Sequence, residues 1–464
     1  MFAHPGLVFL MLFDSDINYT LSLIGAKAIT RIAGLLNRGA TALPGYFIER
    51  LNPGFLKVIR DEVKNCILVT GTNGKTTTSS LIVHLLTKEN KNIGNNHAGS
   101  NLKRGIISSI VPYLSFDKKL AEKFDYFVFE CDEFALEKIV QDLSASYIVM
   151  LNLFRDQLDR YGEIDTIRKK WSHLISNNKN IHYKVNADDP SVASLFHKQN
   201  LKVSYFGVSD YAETQDNLKD VLFCPVCGGK LEYNRRYFSH IGDYFCTNCD
   251  FKRPKPNLTA KIFKDSKEVE IEYLDNTYYT QMPVEGAYNV YNIAASFLVC
   301  IKLGYEINNL SHNILDFKSR FGRYELIKYK EKKIFLILVK NPVGFTQALE
   351  SSIANNKKNL VFILNDNIAD GKDVSWIWDV NFSLLKDNIN EIMFGGTRMY
   401  DMALRIKYED IGINKFVFFD TYKELFDKIN QSENDTYHIF LTYTALLELK
   451  NYLSKHGFKH FYER

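Results

Sequence analysis

The stretch Val69–Ser80, VTGTNGKTTTSS, places two glycines, a lysine and a run of hydroxyls directly behind the apolar segment CILVT. A strand, a glycine-rich turn and a helix start, in that order, aim backbone N–H groups and the positive end of a helix dipole at one spot, which makes an anion site. Gly71 and Gly74 let the backbone approach a phosphate closely. Lys75 is placed to reach terminal phosphates, and the hydroxyl of Thr76 or Thr77 to hold Mg²⁺. The residues Gly71, Thr72, Asn73, Gly74, Lys75, Thr76 and Thr77 are therefore the candidate ATP cradle. The loop is shorter than the standard G-x-x-x-x-G-K-[ST], because Val69 stands where the first glycine would be.

A second group of residues suggests a metal. Cys224 and Cys227 form one C-x₂-C pair, and Cys246 and Cys249 form another 18 residues further on. This spacing predicts two knuckles closing a tetrahedral Cys₄ zinc site. Four thiolates leave no coordination position for a substrate, so the expected role is structural: a staple for an insertion over about 220–255 that is too small to fold alone. The sequence does not separate zinc from iron. Nucleic-acid binding is the sharper alternative, since KRPKPN (Lys252–Asn257) adds basic charge beside aromatic residues. A net charge of +4 over 464 residues argues against a dedicated nucleic-acid binder. Cys66, Cys131 and Cys300 lie in apolar runs and read as small buried hydrophobes, which fits a reducing compartment.

Elements must hold these groups in place. Residues from about 17 to 41 carry helical spacing (Leu21, Leu23, Ile24, Ala28, Ile29, Ile32, Leu35, Leu36), and LPG at Leu43 is expected to break it. CILVT (Cys66–Thr70), YFVFE (Tyr126–Glu130) and YIVMLN (Tyr147–Asn152) read as buried strands. SSLIVHLL and NVYNIAASFLVCIKLG read as helices. Such alternation predicts a parallel sheet covered on both faces. Beyond RFGRYE (Arg320–Glu325), the strands IFLILV, LVFIL, EIMFGG, KFVFF and HIFLT predict a second α/β unit. The apolar run Gly6–Phe13 is too short to span a bilayer and lacks a basic flank. A soluble cytoplasmic protein is the expectation.

With these motifs assembled, the chain resembles the Mur ligases and the related folylpolyglutamate synthases, whose nucleotide signature is GTNGKTTT. Those enzymes activate a carboxylate with ATP as an acyl phosphate, which an amine then attacks. The resemblance continues in chain order. FECDE implies a Mg²⁺-binding Glu130. LNLFRDQLDRYGEID (Leu151–Asp165) is similar to an N-x-x-x-D-H-x-D segment, with Gln157 where the family has His. NADDP (Asn186–Pro190) matches a family loop. GAYNVYNIAAS implies Asn289 and Asn292 beside the nucleotide, and GRYE implies Arg323 near the phosphates. No residue is identified with the carbamylated lysine of many members; Lys169 and Lys170 read as solvated helix charges.

Ordinary members lack the ribbon and carry D-Y-A-H-N-P, where this chain has LVKNPVGFTQAL (Leu338–Leu349) without the Asp and His. That segment, LNDNIADGKDVSWIWDVNF (Leu364–Phe382) and GGTRMYDMALRIKY (Gly395–Tyr408) resemble an amidating branch of the family. The likeness runs from about residue 17 to the end. It implies an N-terminal helical segment (1–55), a Mur-ligase-type P-loop central domain (56–325) with the inserted Cys₄ zinc ribbon, and a Rossmann-like C-terminal α/β domain (326–464). It implies ATP-dependent amidation of the α-carboxyl of D-glutamate in the lipid II stem peptide, with ATP and Mg²⁺ as cofactors and the zinc structural. Ammonia would come from a GatD-like class I glutamine amidotransferase subunit, and contact with the inner membrane leaflet would come through lipid II alone. Asp373, in G-[KR]-D-x-S-W, would complete that partner's catalytic set; Asp366, Asp370 and Asp379 are close by in sequence. A ligase adding an amino acid to a Mur or folate substrate is the competing enzyme, and a ribbon protein with a degenerate nucleotide fold is the competing binding module.

Overall fold

A computed structural model describes residues 15–35, 42–96, 100–155, 164–210, 221–263, 267–283, 286, 288–318, 323–353, 358–386 and 388–456. Gln157 and Leu36 lie outside them.

The CILVT run forms β1 (Cys66–Thr70), buried at every position. Five further parallel strands join it: β2 (Ile93–Asn95), β3 (Tyr126–Glu130), β4 (Ala145–Met150), β5 (His182–Asn186) and β6 (Val203–Asp210). A strand so apolar must be covered on both faces, and it is. One face packs on helix α3 (Lys75–Lys88) and helix α4 (Asn289–Lys302), whose first twelve residues are all buried. The other packs on α1 (Ser15–Leu35), α2 (Leu43–Leu51) and the helix Ile164–Asn177. The sheet is not wholly parallel. After β9 (Leu258–Ile262), which runs parallel to β6, it gains an antiparallel edge from the hairpin β10 (Glu268–Tyr273) and β11 (Asn276–Gln281). The order is β11-β10-β9-β6-β5-β4-β1-β3-β2. The first helix does not run through LPG at Leu43, and LPG also opens the next: Pro44 sits in the first turn of α2, where its missing N–H has no helical partner to lose.

Between β6 and β9 the chain makes a two-stranded hairpin, β7 (Leu231–Phe238) and β8 (Ile241–Cys246). The second sheet, in the order β12-β13-β17-β14-β15-β16, comprises β12 (Arg323–Tyr329), β13 (Lys332–Leu338), β14 (Lys358–Ile363), β15 (Ile389–Gly395), β16 (Phe416–Phe418) and β17 (Thr436–Leu441). It is parallel except for β12. Its two apolar faces are also covered, one of them by helix α5 (Pro342–Ile353).

Candidate active site

The carboxyl ends of parallel strands are where open α/β sheets collect ligands. Here β1 delivers the phosphate loop, β3 delivers Glu130, β4 delivers Asn152 and β5 delivers the NADDP loop. Gly71 (φ 135°) and Gly74 (φ 90°) both occupy the region that favours glycine. A Cβ on Gly74 would lie 2.4 Å from Asn292 Oδ1. Gly74→Ala is therefore expected to destabilise the fold by about 1–3 kcal/mol and to weaken nucleotide binding, read by thermal melting and by titration calorimetry. Affinity equal to that of the native protein would contradict this reading of the loop.

The loop is pinned by amides. Asn73 N–H donates to Asn152 Oδ1 at 2.8 Å, and Asn152 Nδ2 donates to the Asn73 carbonyl at 3.1 Å. Thr72 Oγ1 takes the Phe154 N–H at 3.0 Å. From the second sheet, Asn341 Nδ2 donates to Asn73 Oδ1 at 2.8 Å, with a return bond of 3.3 Å. The phosphate loop thus touches the NP pair at the start of α5.

Lys75 is buried. Its Nζ donates to the carbonyls of Gly71 (2.5 Å) and Thr72 (3.1 Å) and pairs with Glu133 at 3.0 Å, both side chains being almost inaccessible. Thr76, rather than Thr77, faces the predicted metal carboxylate: its Oγ1 donates to Glu130 Oε2 at 2.8 Å. Asn96 clamps the Glu130 backbone with two 2.9 Å bonds. A hydroxyl and a carboxylate side by side are the hard oxygen donors that suit Mg²⁺. Thr77 lines the neighbouring cleft.

That cleft is lined by residues of both sheets' units. Asn73, Gly74, Tyr288, Tyr291 and Asn292 line it from one side, and Tyr324, Lys340 and Asn341 from the other. Asn292 bonds Thr78 Oγ1 (3.1 Å) and Asn289 (2.7 Å), so both predicted asparagines stand at the start of α4 beside the loop. Arg323 opens β12 opposite Ile337, a cleft residue. Lys170 lies over the Phe134 ring at 4.2 Å, and Lys169 is exposed.

Sequence reasoning passed over Glu133, Asn96, Asn152 and Asn341. Glu133 and Asn152 lay inside the motifs FECDE and LNLFRDQLDRYGEID; Asn96 had no local signal.

The four ribbon cysteines converge, with their sulfurs all within 4.8 Å of one another. Cys224 Sγ–Cys249 Sγ is 3.8 Å and Cys227 Sγ–Cys246 Sγ is 3.5 Å. A tetrahedron with Zn–S bonds of about 2.3 Å has edges of about 3.8 Å, so the set fits zinc. Backbone N–H groups of Val226, Gly229 and Asn248 point at three of the sulfurs. Cys66, Cys131 and Cys300 are buried, and burial pushes each thiol up. Within KRPKPN, Arg253 is not part of a basic surface: its Nε bonds the buried Asp188 at 2.6 Å.

In the second unit, the loop after β14 carries the four candidate aspartates. Asp370 is buried and accepts the Thr444 N–H at 2.8 Å as well as its hydroxyl. Asp366 accepts the Thr397 hydroxyl at 2.9 Å. Asp373 and Asp379 are exposed. Asp373 Oδ1 takes the Ser375 N–H at 2.8 Å, and that bond holds its carboxyl below the usual range.

Residues 69–234 match the Mur ligase middle domain, and residues 338–446 match the MurT ligase C-terminal domain. The chain is 33% identical to the lipid II isoglutaminyl synthase (glutamine-hydrolyzing) subunit MurT of Staphylococcus aureus strain COL, over 86% of this chain and 90% of that protein. It is 30% identical to the subunit of the same name from Streptococcus pneumoniae strain ATCC BAA-255 / R6, over 95% and 98%. Among solved structures, a pseudomurein peptide ligase type C from Methanothermus fervidus shares the fold with a TM-score of 0.66 at 19% identity, over 86% of this chain and 80% of that one. Among the described residues, no helix is long and apolar enough to cross a membrane.

Proposed function

The chain belongs to the MurT family of Mur-ligase-like proteins, and from that premise we propose that it is the ATP-dependent synthetase of lipid II amidation, converting the α-carboxyl of the stem D-glutamate to D-isoglutamine. The observation that carries this reading is an undamaged phosphate and metal cradle facing a MurT-type second unit. A degenerate binding module would have no need to keep Thr76, Glu130 and Lys75 in register.

In this reading the loop N–H groups and Lys75 hold the ATP phosphates, and Thr76 and Glu130 hold Mg²⁺, which when bound neutralises charge on the transferring phosphoryl group. Asn289, Asn292 and Arg323 border the nucleotide. The glutamate carboxylate oxygen attacks the γ-phosphorus and ADP leaves. Ammonia then attacks the acyl carbon, and phosphate leaves with the former carboxylate oxygen. Asn341 on Asn73 gives closure of the second unit a direct contact with the loop, and closure excludes water from the acyl phosphate.

The ammonia source is a GatD-like glutaminase subunit, whose catalytic histidine Asp373 would orient. Exposed apolar side chains around that loop support a docking surface there: Ile368 is 90% exposed, and Trp378 and Tyr408 meet edge-on at the surface. The protein works in the cytoplasm and reaches the membrane through lipid II.

The test is a mass spectrum of lipid II after incubation with this protein, ATP, Mg²⁺ and ammonium, without glutamine or partner. Exchange of one oxygen atom for an NH group is expected. An unchanged mass, with ATP consumed only when a free amino acid is supplied, would replace this reading by the amino-acid-adding one.

A further inference from the structure

The ribbon occupies an unusual place. Strands β6 and β9 are parallel neighbours, so the chain between them must cross over one face of the sheet, a task usually given to a helix. Here a hairpin stands in that crossover. One end of β7 and β8 carries the cysteines; the other, roughly 25 Å away by strand length, is the turn Phe238-Ser239-His240-Ile241. Hairpin turns normally face water. In this turn Ser239 and His240 are 0% exposed, and Phe238 and Ile241 are buried in the main core with β6 and β9 residues.

The buried turn reaches the cleft. Phe238 and Ile241 line it together with Asn73 and Gly74. Phe238 meets Tyr291 edge-on at 5.9 Å, and Phe154 lies against Phe238 at 6.0 Å and His240 at 4.9 Å. The hairpin is tied to the NADDP loop by Gly242 N–H to the Asp188 carbonyl (3.0 Å) and Tyr244 OH to the Ala187 carbonyl (3.1 Å). Arg253, where the ribbon rejoins the sheet, bonds Asp188, and Asp188 in turn accepts the Tyr291 hydroxyl at 2.8 Å. The hairpin therefore both forms a wall and fixes the tyrosine beside it.

We propose that the ribbon hairpin is a wall of the nucleotide cleft, and that closing its four-cysteine end on a metal ion sets the affinity for nucleotide at its tip. The physical reason is that a lone two-stranded hairpin is marginal in water. With the cysteine end open, the strands fray toward the tip, and Phe238, Ile241 and Tyr291 lose their fixed positions. The inference rests on the cleft being the ATP site.

The experiment measures binding of ADP with Mg²⁺ by calorimetry on the full chain, with metal content by elemental analysis and folding by circular dichroism. Native protein is measured first: no binding there overturns the ATP assignment and this inference with it. Cys227→Ser, at an exposed ligand, is expected to lose the ion and to weaken binding by about tenfold or more. Phe238→Leu and Ile241→Ala are expected to keep the ion and weaken binding several-fold. Native affinity in an ion-free, folded Cys227→Ser protein overturns the proposal while leaving the ATP site standing. Should Cys227→Ser not fold, the two tip variants decide: native affinity in both overturns it, and weakened binding with the ion retained supports it.

Discussion

Replacing Lys75 by methionine is expected to lower ATP-dependent amidation by about 10²–10³-fold or more, because the charge facing the transferring phosphoryl group is lost. The same substitution also breaks a buried ion pair. Glu133 would be left charged and inaccessible, which destabilises by about 3–5 kcal/mol. A loss of activity alone would not separate the two effects. The double variant Lys75→Met/Glu133→Gln does, since removing both charges leaves no orphan, and the melting temperature is expected to recover most of its fall while activity stays lost. Recovery of activity with stability would mean that Lys75 serves the fold rather than the phosphates. Glu133→Gln alone is informative too. Lys75 bonds Glu133 and two loop carbonyls, so under the proposed function incoming phosphates would compete with that carboxylate for the ammonium.

The groups most legible in the sequence were those whose chemistry is local. CILVT is a strand because every residue in it is buried, and the glycines behind it occupy the φ values that glycine favours. The cysteine spacing directly gives the sulfur cluster. What the sequence hid was long-range. Glu130 and Glu133 sit in one short motif, yet the strand end sends the first to Thr76 and the turn sends the second to Lys75. Asn152 and Asn341 lie inside quoted motifs, but they carry no charge and follow no periodicity, and their shared contact with Asn73 spans 79 and 268 residues of chain. Arg253 sat in a basic stretch that hinted at nucleic acid; its partner Asp188 is 65 residues earlier, in a loop that only the fold brings beside it. The antiparallel edge β10–β11 and the buried ribbon turn follow from the order of strands across the sheet, which no local pattern encodes.

Asp373→Asn is expected to lower glutamine-dependent amidation, measured with the glutaminase partner present, by about 10³–10⁴-fold, as when the carboxylate of a catalytic triad is removed. Amidation from ammonium should stay within about twofold of native, because none of the phosphate or metal groups is touched. Geometry favours this aspartate. Asp370 is sealed in by Thr444, and its removal would disturb the loop itself. Asp366 is engaged with Thr397 and lies 4.0 Å from Arg398. Asp373 stands at the surface with one oxygen held by the Ser375 N–H, and that bond favours the ionised form. A carboxylate fixed in this way needs little reorganisation to receive an imidazole N–H from a docked protein. Asp379, also exposed, is the control, and Asp379→Asn should leave both activities near native. If Asp373→Asn lowers both activities together, the residue belongs to the ligase chemistry or to the fold. If Asp379→Asn instead abolishes only the glutamine-dependent reaction, the interface is centred several residues further along the loop, beside Trp378.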